Sequence, residues 1–289
     1  MNILVTGADG QLGNSLRKIS DDYNHQFSFT DFEELDVTSE EEIDNYLKAG
    51  SFDFLINCAA YTAVDDAENN YDKALLLNAT APYLLAKYAK KYKTRFIHIS
   101  TDYVFDGKNS TPYTPQSAAN PKNVYGNTKL QGEKKVLRCN KDAKIIRTSW
   151  LYSEFGNNFV KTMLKLGATK SSINVVFDQI GSPTYATDLA KTIMKMVDHM
   201  PIDSIFHFSN EGVCSWYDFA RKIMEFSNLN CKVLPILSKD YPTLAKRPSY
   251  SVMDKYDIKL NLRIEIPHWE DSLKECLNSI KERLNDIDD

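Results

Sequence analysis

The amino-acid sequence predicts an α/β fold, in which a doubly wound parallel sheet carries a smaller, mostly helical lobe. In the first half of the chain, short apolar runs alternate with segments of helical spacing. This pattern is typical of right-handed strand–helix–strand units, whose sheet is covered by helices on both faces. In the second half, helical patterns dominate and prolines gather between residues 235 and 267. The change of pattern places the boundary between sheet and lobe near residue 150.

The predicted elements follow one another along the chain. In the first half, strands are expected at 2–6, 26–30, 52–57, 95–100 and 144–147, and helices at 12–19, 71–92 and 125–137. Another helix begins after Ser39, where Glu42 three residues later predicts a capping box. In the second half, helices are expected at 159–166, 185–197, 216–226 and 269–284, and short strands at 173–177, 205–208 and 232–234.

Composition and charge argue against several classes of protein. The 289 residues include 35 Lys and Arg against 39 Asp and Glu, a formal net charge of −4 without the basic excess of a nucleic-acid binder. No apolar run approaches the roughly 20 residues of a membrane-spanning helix, and abundant aromatic residues argue against disorder. The five cysteines form no CxxC pair, and no histidine lies at metal-ligand spacing from them. We therefore expect reduced thiols, no bound metal and a cytoplasmic location.

A glycine-rich segment predicts a nucleotide site. Gly7, Gly10 and Gly13 form a GxxGxxG pattern between the first strand and the first helix. Glycine permits a tight turn that brings backbone amides against a pyrophosphate, and the helix N-terminus offers its positive dipole end. This context favours a Rossmann-type dinucleotide site over a glycine-rich turn without a ligand. Residues 1–150 are therefore interpreted as a dinucleotide-binding domain, to which later segments return, and residues 151–289 mainly as a substrate-binding lobe.

Asp31 closes the second predicted strand, near the spacing of the acidic residue that bonds the adenosine ribose in such sites. Its carboxylate would repel a 2′-phosphate, so electrostatics favour NADH. Arg17 or Lys18 could still approach such a phosphate, and an ordinary strand-end turn is the other explanation of this residue. The expected cofactor is therefore NADPH or NADH.

Tyr125 and Lys129 form a YxxxK pattern, and on a helix these two positions lie on the same face. A nearby ammonium stabilises phenolate, so we expect it to lower the Tyr125 pKa from about 10 toward the range for proton transfer. Ser100 and Thr101 follow the fourth strand, where either hydroxyl would point into the crevice of the sheet and polarise a carbonyl. Taken alone, Tyr125 and Lys129 could be an ordinary pair on a helix surface, and Thr101 could be an ordinary turn hydroxyl. Their order after the glycine loop favours an enzyme.

Further motifs extend over nearly the whole chain. Besides GADGQLG at 7–13, STDYVF at 100–105 and YGNTK at 125–129, there are NCAAYTAVD at 57–65, LNAT at 77–80, FGNNF at 155–159, DQIGSPT at 178–184 and RPSYS at 247–251. The first three resemble the extended short-chain dehydrogenase/reductase superfamily. The later ones resemble its dTDP-4-dehydrorhamnose reductase branch.

The resemblance implies roles for individual residues. Tyr125 would donate a proton, Lys129 would lower the Tyr125 pKa and hold the nicotinamide ribose, and Thr101 would polarise the substrate carbonyl. Asp102 would lie beside the sugar, and Trp150 would either face the substrate or pack in the core. The expected cofactor-binding residues are Gly7, Gly10, Gln11, Leu12, Gly13, Asp31, Asp36, Val37, Ala59, Ala60, Tyr61, Thr62, Tyr125 and Lys129. The substrate diphosphate needs cations, and Arg247 and Lys246 are candidates unless they form an exposed charged turn.

The activity implied is the NAD(P)H-dependent reduction of dTDP-4-dehydro-L-rhamnose to dTDP-L-rhamnose, with hydride delivered to the sugar C4 carbonyl. A nucleotide-sugar epimerase and a non-catalytic relative, such as the regulatory subunit of methionine adenosyltransferase, are the alternatives. Dehydration is disfavoured, because Asp102-Tyr103 stands where dehydratases have Asp-Glu.

The resemblance also bears on assembly. Members of the family include dimers bridged by a metal on glutamates. Asn14, Ser15 and Thr187 stand where those glutamates would be expected. We therefore expect a monomer or a weak homodimer without a bridging metal.

Overall fold

The computed structural model describes residues 1–288, and the side chains of residues 1–283. Up to residue 150 its elements are β1 (Asn2–Thr6), α1 (Gln11–Ile19), β2 (Gln26–Thr30), α2 (Glu40–Gly50), β3 (Phe54–Asn57), α3 (Val64–Ala67), α4 (Tyr71–Leu75), α5 (Ala81–Lys91), β4 (Arg95–Thr101), α6 (Val124–Cys139) and β5 (Lys144–Thr148). They continue as β6 (Leu151–Tyr152), α7 (Phe159–Thr169), β7 (Ser172–Val176), β8 (Ile180–Gly181), β9 (Thr184–Tyr185), α8 (Ala186–Asp198), β10 (Ile205–Phe208), β11 (Cys214–Ser215), α9 (Trp216–Phe226), β12 (Lys232–Ile236), α10 (Tyr256–Leu262) and α11 (Trp269–Asp288).

Six parallel strands form the central sheet, in the spatial order β10-β5-β4-β3-β1-β2. The chain leaves β1 toward β2 on one side and returns to β3 on the other, so the strand order reverses between β1 and β3. In open sheets of this kind the crevice outside the carboxyl ends of the strands at that reversal is where ligands bind. The reversal therefore places the end of β1, at Thr6, beside the end of β3, at Asn57.

Helices cover both faces of this sheet, which confirms the predicted fold class. Ile3 and Val5 of β1 belong to a core shared with α1, α8 and α10, whereas Leu4 faces the opposite core, shared with α2, α5 and α6. Successive strand residues point to opposite faces, so a strand buried on both sides is apolar throughout. Strand β10 and helix α8 come from the second half of the chain, yet they belong to this layer. The division near residue 150 stays a prediction.

The remaining elements form a third core. Tyr152, Tyr185, Phe219 and Trp269 pack together there with residues of α7, α9 and α11. Three small two-stranded pairings accompany them: β7 with β12, β8 with β11 and β6 with β9. Of the helices in residues 1–288, none has the length and apolar character needed to cross a membrane.

The helix expected at 71–92 is interrupted. Between α4 and α5 the chain forms one wide π turn at Leu76–Thr80, whose Asn78 is fully buried. A π turn closes i→i+5 hydrogen bonds instead of i→i+4, and one turn of five residues is too short for apolar periodicity to reveal it. Such turns occur frequently at functional sites, and this one contacts α6.

The capping box expected at Ser39 forms only in part. The Ser39 hydroxyl accepts a hydrogen bond from the Glu42 backbone N–H at 3.3 Å, as expected. The Glu42 carboxylate instead accepts from the backbone N–H of Asp36 at 3.0 Å. A complete capping box is found at the start of α9, between Ser215 and Asp218.

The contact between α6 and the π turn leads to a stability prediction. A Cβ atom built on Gly132 of α6 would lie 2.1 Å from the backbone oxygen of Asn78, which cannot move without distorting the turn. Alanine normally favours a helix over glycine by about 1 kcal/mol. Here we expect Gly132→Ala to lower the free energy of unfolding by about 1–3 kcal/mol, the usual cost of overpacking, as measured by urea denaturation.

Gly167→Ala in α7 is the matched control. Its Cβ would meet the Met224 and Leu229 side chains, which can move, so we expect a smaller loss. An increase in stability for Gly132→Ala would contradict the close approach of α6 to the π turn.

Candidate active site

Two adjoining cavities lie at the carboxyl edge of the sheet, on either side of the glycine loop. The first, of about 500 Å³ and called here the Tyr125 cavity, contains these predicted site residues in its lining: Gly7, Gly10, Gln11, Leu12, Ala60, Thr62, Thr101, Asp102, Tyr125, Lys129 and Trp150. The second, of about 720 Å³ and called the Asp31 cavity, contains Gly7, Gly10, Asp31, Asp36, Val37, Ala59 and Ala60. Most of the residues predicted from the sequence are thus brought together.

The glycine loop has the geometry that a pyrophosphate requires. Gly7 has φ of +68°, and a Cβ there would lie 2.5 Å from the Ala59 nitrogen, so only glycine fits at this strand reversal. Gly10 is the N-cap of α1 and its helix has neither a side-chain cap nor an acidic residue in its first turn. The first turn of α1 therefore contributes no negative side chain that would compete for its positive end. Gly13 lines neither cavity; it allows α1 to pack closely on Gly7 and Ala8.

Asp31 borders the Asp31 cavity. Its carboxylate accepts hydrogen bonds from the backbone N–H of Asp9 at 3.0 Å and of Phe32 at 2.9 Å, which fix its position. Of the two cations that could approach a 2′-phosphate, Arg17 reaches Asp9 at 3.5 Å, on the rim of this cavity. Lys18 points to the other side of α1 and pairs with Glu154 at 2.6 Å. Of the two cations, Arg17 is therefore the one that lies near the Asp31 cavity.

Tyr125 and Lys129 project from the first turns of α6, where the Asn123 side chain caps the helix by accepting from the Gly126 N–H at 2.7 Å. The Lys129 ammonium donates to the Ile99 carbonyl oxygen at 2.6 Å. Burial lowers the pKa of Lys129 to about 8. Burial also raises the pKa of Tyr125, to about 12, with partial opposition from the Thr101 hydroxyl. The expected lowering of the Tyr125 pKa is therefore wrong for this structure, because desolvation disfavours the phenolate and the negative charge of Asp102 raises the pKa further.

The two candidate hydroxyls at the end of β4 have different partners. The Ser100 hydroxyl is buried and donates to the Glu133 carboxylate at 2.5 Å. The Thr101 hydroxyl donates to Asp102 Oδ1 at 3.0 Å and accepts from the Tyr103 N–H. Both residues line the Tyr125 cavity. Each hydroxyl donates to a carboxylate, but the bond from Ser100 to Glu133 is the shorter one, at 2.5 Å against 3.0 Å, so Thr101 is the better candidate to polarise a carbonyl.

Asp102 is 1% exposed and borders the Tyr125 cavity. Burial raises its pKa to about 6, while the hydroxyls of Ser251 and Thr101 oppose the shift. Within the described residues, its Oδ2 atom makes no hydrogen bond. A buried carboxylate oxygen without a partner costs free energy, which a ligand hydroxyl donating to it would recover.

Trp150 forms part of the cavity wall and also packs against protein. Its ring stacks on Trp216 at 3.6 Å between centroids, and its backbone has φ of +47°. The two interpretations of this residue are thus compatible: one face packs on Trp216, and the side chain borders the Tyr125 cavity.

The side chain of Gln11 does not project freely toward a cofactor. Its amide oxygen accepts from Ser153 Oγ at 3.1 Å and from Asn158 Nδ2 at 2.9 Å, and its nitrogen donates to the Leu151 oxygen. Gln11 therefore ties the start of α1 to the segment around the FGNNF motif. Its backbone N–H and the second N–H of its amide remain for a ligand.

Arg247 and Tyr61 are not in the linings of the two cavities. The Arg247 guanidinium forms two hydrogen bonds with the Asp65 carboxylate, at 3.1 and 2.5 Å. The charge expected to meet a diphosphate is therefore already paired. The Tyr61 hydroxyl bonds Asp66, and its backbone N–H donates to Asn78. A sequence shows that a cationic side chain is present, but it does not show which carboxylate pairs with it.

A family model described as RmlD substrate binding domain matches residues 1–282. The chain therefore belongs to the RmlD substrate binding domain family. Spore coat polysaccharide biosynthesis protein SpsK of Bacillus subtilis is 40% identical over 275 residues, covering 95% of this chain and 96% of that protein. A dTDP-4-dehydrorhamnose reductase structure from Clostridium acetobutylicum shares 41% identity and a TM-score of 0.94, covering 97% of this chain and 100% of that one. Another from Bacillus anthracis, in complex with NADP, shares 37% and a TM-score of 0.92, covering 96% and 99%.

The family resemblance expected from the motifs is thus confirmed. The roles of the individual site residues and the expectation of no bridging metal stay predictions. Among the residues whose side chains are described, no group of three or more His, Cys, Asp or Glu side chains is placed to hold a metal ion.

Two residues that support the site, Asn78 and Glu133, were not predicted from the sequence. Asn78 of the π turn holds the Tyr61 backbone at both its N–H and its oxygen and donates to the Thr128 hydroxyl inside the YGNTK motif. Glu133 lies two turns after Tyr125 and is 2% exposed. The sequence signal that could have identified Asn78 is a polar residue within the apolar pattern of LLNAT. The signal for Glu133 is its spacing of four residues from Lys129.

The raised pKa of Asp102 gives a pH prediction. The pKa of Asp102 in the folded chain is about 6, above the ordinary value of 3.8. Between pH 3.8 and pH 6 the folded chain therefore binds this proton more tightly than the unfolded chain does. The free energy of unfolding should therefore fall as pH rises through this window, by about 3 kcal/mol from this group. Asp102→Asn abolishes the titration, so the stability of wild type relative to the variant should decline by about that amount across the window in urea titrations. Asp72→Asn, at an exposed position, is the control: it retains Asp102, so its free energy of unfolding should keep the decline across the window.

Proposed function

We propose that this chain is an NAD(P)H-dependent reductase that converts dTDP-4-dehydro-L-rhamnose to dTDP-L-rhamnose. The observation that carries the proposal is the meeting of Thr101, Tyr125 and Lys129 in one cavity beside the glycine loop. A hydroxyl, a phenol and an ammonium at the carboxyl edge of a dinucleotide-type sheet are the groups needed to reduce a carbonyl. Membership of the RmlD substrate binding domain family and the likeness to dTDP-4-dehydrorhamnose reductases support the choice of substrate.

The two cavities fit the two ends of a dinucleotide. Asp31 would meet the adenosine ribose, while the Gly10 N-cap and the first amides of α1 would meet the pyrophosphate. The nicotinamide end would then lie in the Tyr125 cavity near Lys129. Asp31 favours NADH, whereas Arg17 on the same rim could accommodate a 2′-phosphate, so both NADPH and NADH remain candidates.

The bound reduced nicotinamide supplies the hydride. The protein has to polarise the substrate carbonyl and to provide the proton that balances the added hydride. A Tyr125 phenol with a pKa near 12 holds its proton at neutral pH and is ready to give it to the carbonyl oxygen. The Thr101 hydroxyl would share that oxygen. Lys129, with a pKa near 8, stays mainly cationic at neutral pH and would stabilise the phenolate that is left.

The substrate class also indicates how the lobe is used. The sugar would lie between Tyr125 and Trp150, with Asp102 Oδ2 as an acceptor for one of its hydroxyls. The proposed enzyme works in the cytoplasm as a monomer or a weak homodimer. Sedimentation equilibrium with and without a chelator checks the oligomeric state and its independence of metal.

The direct test of the function is a redox assay. The chain is incubated with dTDP-4-dehydro-L-rhamnose and either NADPH or NADH, and the loss of reduced-nicotinamide absorbance is followed. We expect stoichiometric oxidation of at least one cofactor. An epimerase would interconvert sugars without net oxidation, and a non-catalytic relative would do neither. Silence with both cofactors would refute the reductase.

Tyr125→Phe removes the proton donor and keeps the ring. We expect turnover to fall by roughly 10²- to 10⁴-fold, the usual contribution of a general acid, in the same assay. Tyr46→Phe is the control, because Tyr46 stacks on Phe52 away from both cavities and should turn over like wild type. Unchanged turnover in Tyr125→Phe would exclude this residue as the proton donor.

A further inference from the structure

The face of α6 that carries the proposed catalytic residues continues one turn further. Tyr125, Lys129 and Glu133 are spaced by four residues, so they lie in one row along the helix. Lys129 and Glu133 are each 2% exposed, although both are charged side chains. Buried charges need partners, and the partners of these two lie on the same strand.

Helix α6 is joined to β4 at two consecutive residues. Lys129 donates to the backbone oxygen of Ile99 at 2.6 Å, and the Glu133 carboxylate accepts from the Ser100 hydroxyl at 2.5 Å. The next residue of β4 is Thr101, the candidate that polarises the carbonyl. The two contacts thus hold the strand that bears Thr101 against the helix that bears Tyr125.

The Glu133 carboxylate also holds the neighbouring strand. Arg147 of β5 donates to it through Nε at 2.9 Å and Nη2 at 2.7 Å, in a buried pair with both side chains under 5% exposed. The other side of the guanidinium is enclosed by the Phe105 ring at 5.2 Å and by His207. Burial and Arg147 lower the pKa of His207 to about 3, so the histidine is neutral and adds no charge.

Glu133 is absent from the lining of the Tyr125 cavity, and its charge is neutralised by Arg147. It therefore has no means of meeting the substrate. Because Glu133 joins α6 to β4 and β5, it affects the distances between Tyr125 and Lys129 on the helix and Thr101 on the strand. Displacing reacting groups by about 1 Å can cost on the order of 100-fold in rate.

We propose that Glu133 is a positioning residue for the reduction: through Ser100 it fixes Thr101 relative to Tyr125 and Lys129. The role rests on the proposed function. It extends the functional motif of α6 from YxxxK to YxxxKxxxE, with the serine before Thr101 as its partner on the strand.

Ser100→Ala is the variant that tests this role. Glu133→Gln would leave the Arg147 charge buried without its counterion and can fail to fold, whereas Ser100→Ala removes the link between strand and helix and leaves Arg147 paired with Glu133. Ser272→Ala is the matched control, because Ser272 is also a buried serine, and its hydroxyl donates to the Asp188 carboxylate at 2.6 Å, away from both cavities.

Three quantities are measured for each variant below its unfolding temperature. These are kcat, the Kd of the reduced cofactor from quenching of tryptophan fluorescence, and the primary deuterium isotope effect with deuterated cofactor. For Ser100→Ala we expect kcat to fall about 10-fold, Kd to stay within about twofold, and the isotope effect to rise because the chemical step slows. For Ser272→Ala we expect wild-type values of all three.

The outcomes separate the two proposals. If wild type oxidises cofactor and Ser100→Ala matches Ser272→Ala in kcat and isotope effect, the positioning role of Glu133 is wrong while the reductase stands. If Ser100→Ala loses stability alone, with kcat per folded molecule unchanged, the contact is structural only and the role is again wrong. If wild type oxidises neither cofactor, the proposed function fails and this role fails with it.

Discussion

The reversal of strand order between β1 and β3 is the constraint on which the rest of the structure depends. Where the chain diverges, backbone from the two strand ends must pass so closely that a Cβ on Gly7 would lie 2.5 Å from the Ala59 nitrogen. The same reversal opens the crevice that becomes the Tyr125 and Asp31 cavities, and it directs the N-terminus of α1 into the space between them. Fold and site therefore share one geometric cause.

Within that crevice, precision comes from buried polar contacts rather than from the apolar core. Asn78 joins the π turn to the backbone of Tyr61 and to Thr128, and Glu133 joins α6 to β4 and β5. Hydrophobic contacts are non-directional, so they hold α6 against the sheet without fixing its position along the strand. Hydrogen bonds have preferred distances and angles, and they can fix that position. The lobe is tied to the same region through Gln11, whose amide bonds Ser153 and Asn158.

Much of the fold and part of the candidate site could be predicted. The strands at 2–6 and 26–30 and the helix at 216–226 have the predicted bounds, because apolar runs and helical periodicity report burial directly. Glycines 7 and 10, Asp31, Thr101, Tyr125 and Lys129 fall in the two cavities because they follow strands or begin helices at the carboxyl edge of the sheet. The π turn, the pairing of Arg247 with Asp65 and the occupied amide of Gln11 could not be predicted, since each depends on a partner distant along the chain.

The sequence by itself determined the fold class, the family and the set of chemical groups available for a reaction, because periodicity, turn residues and motif order are local properties. Only the tertiary structure decided which of those groups are free. It pairs Ser100 with Glu133 and Arg247 with Asp65, leaves Asp102 Oδ2 without a partner among the described residues, and raises rather than lowers the Tyr125 pKa. The physical reason is that charge pairing and desolvation depend on distances and burial, which arise only when residues far apart in the chain come together.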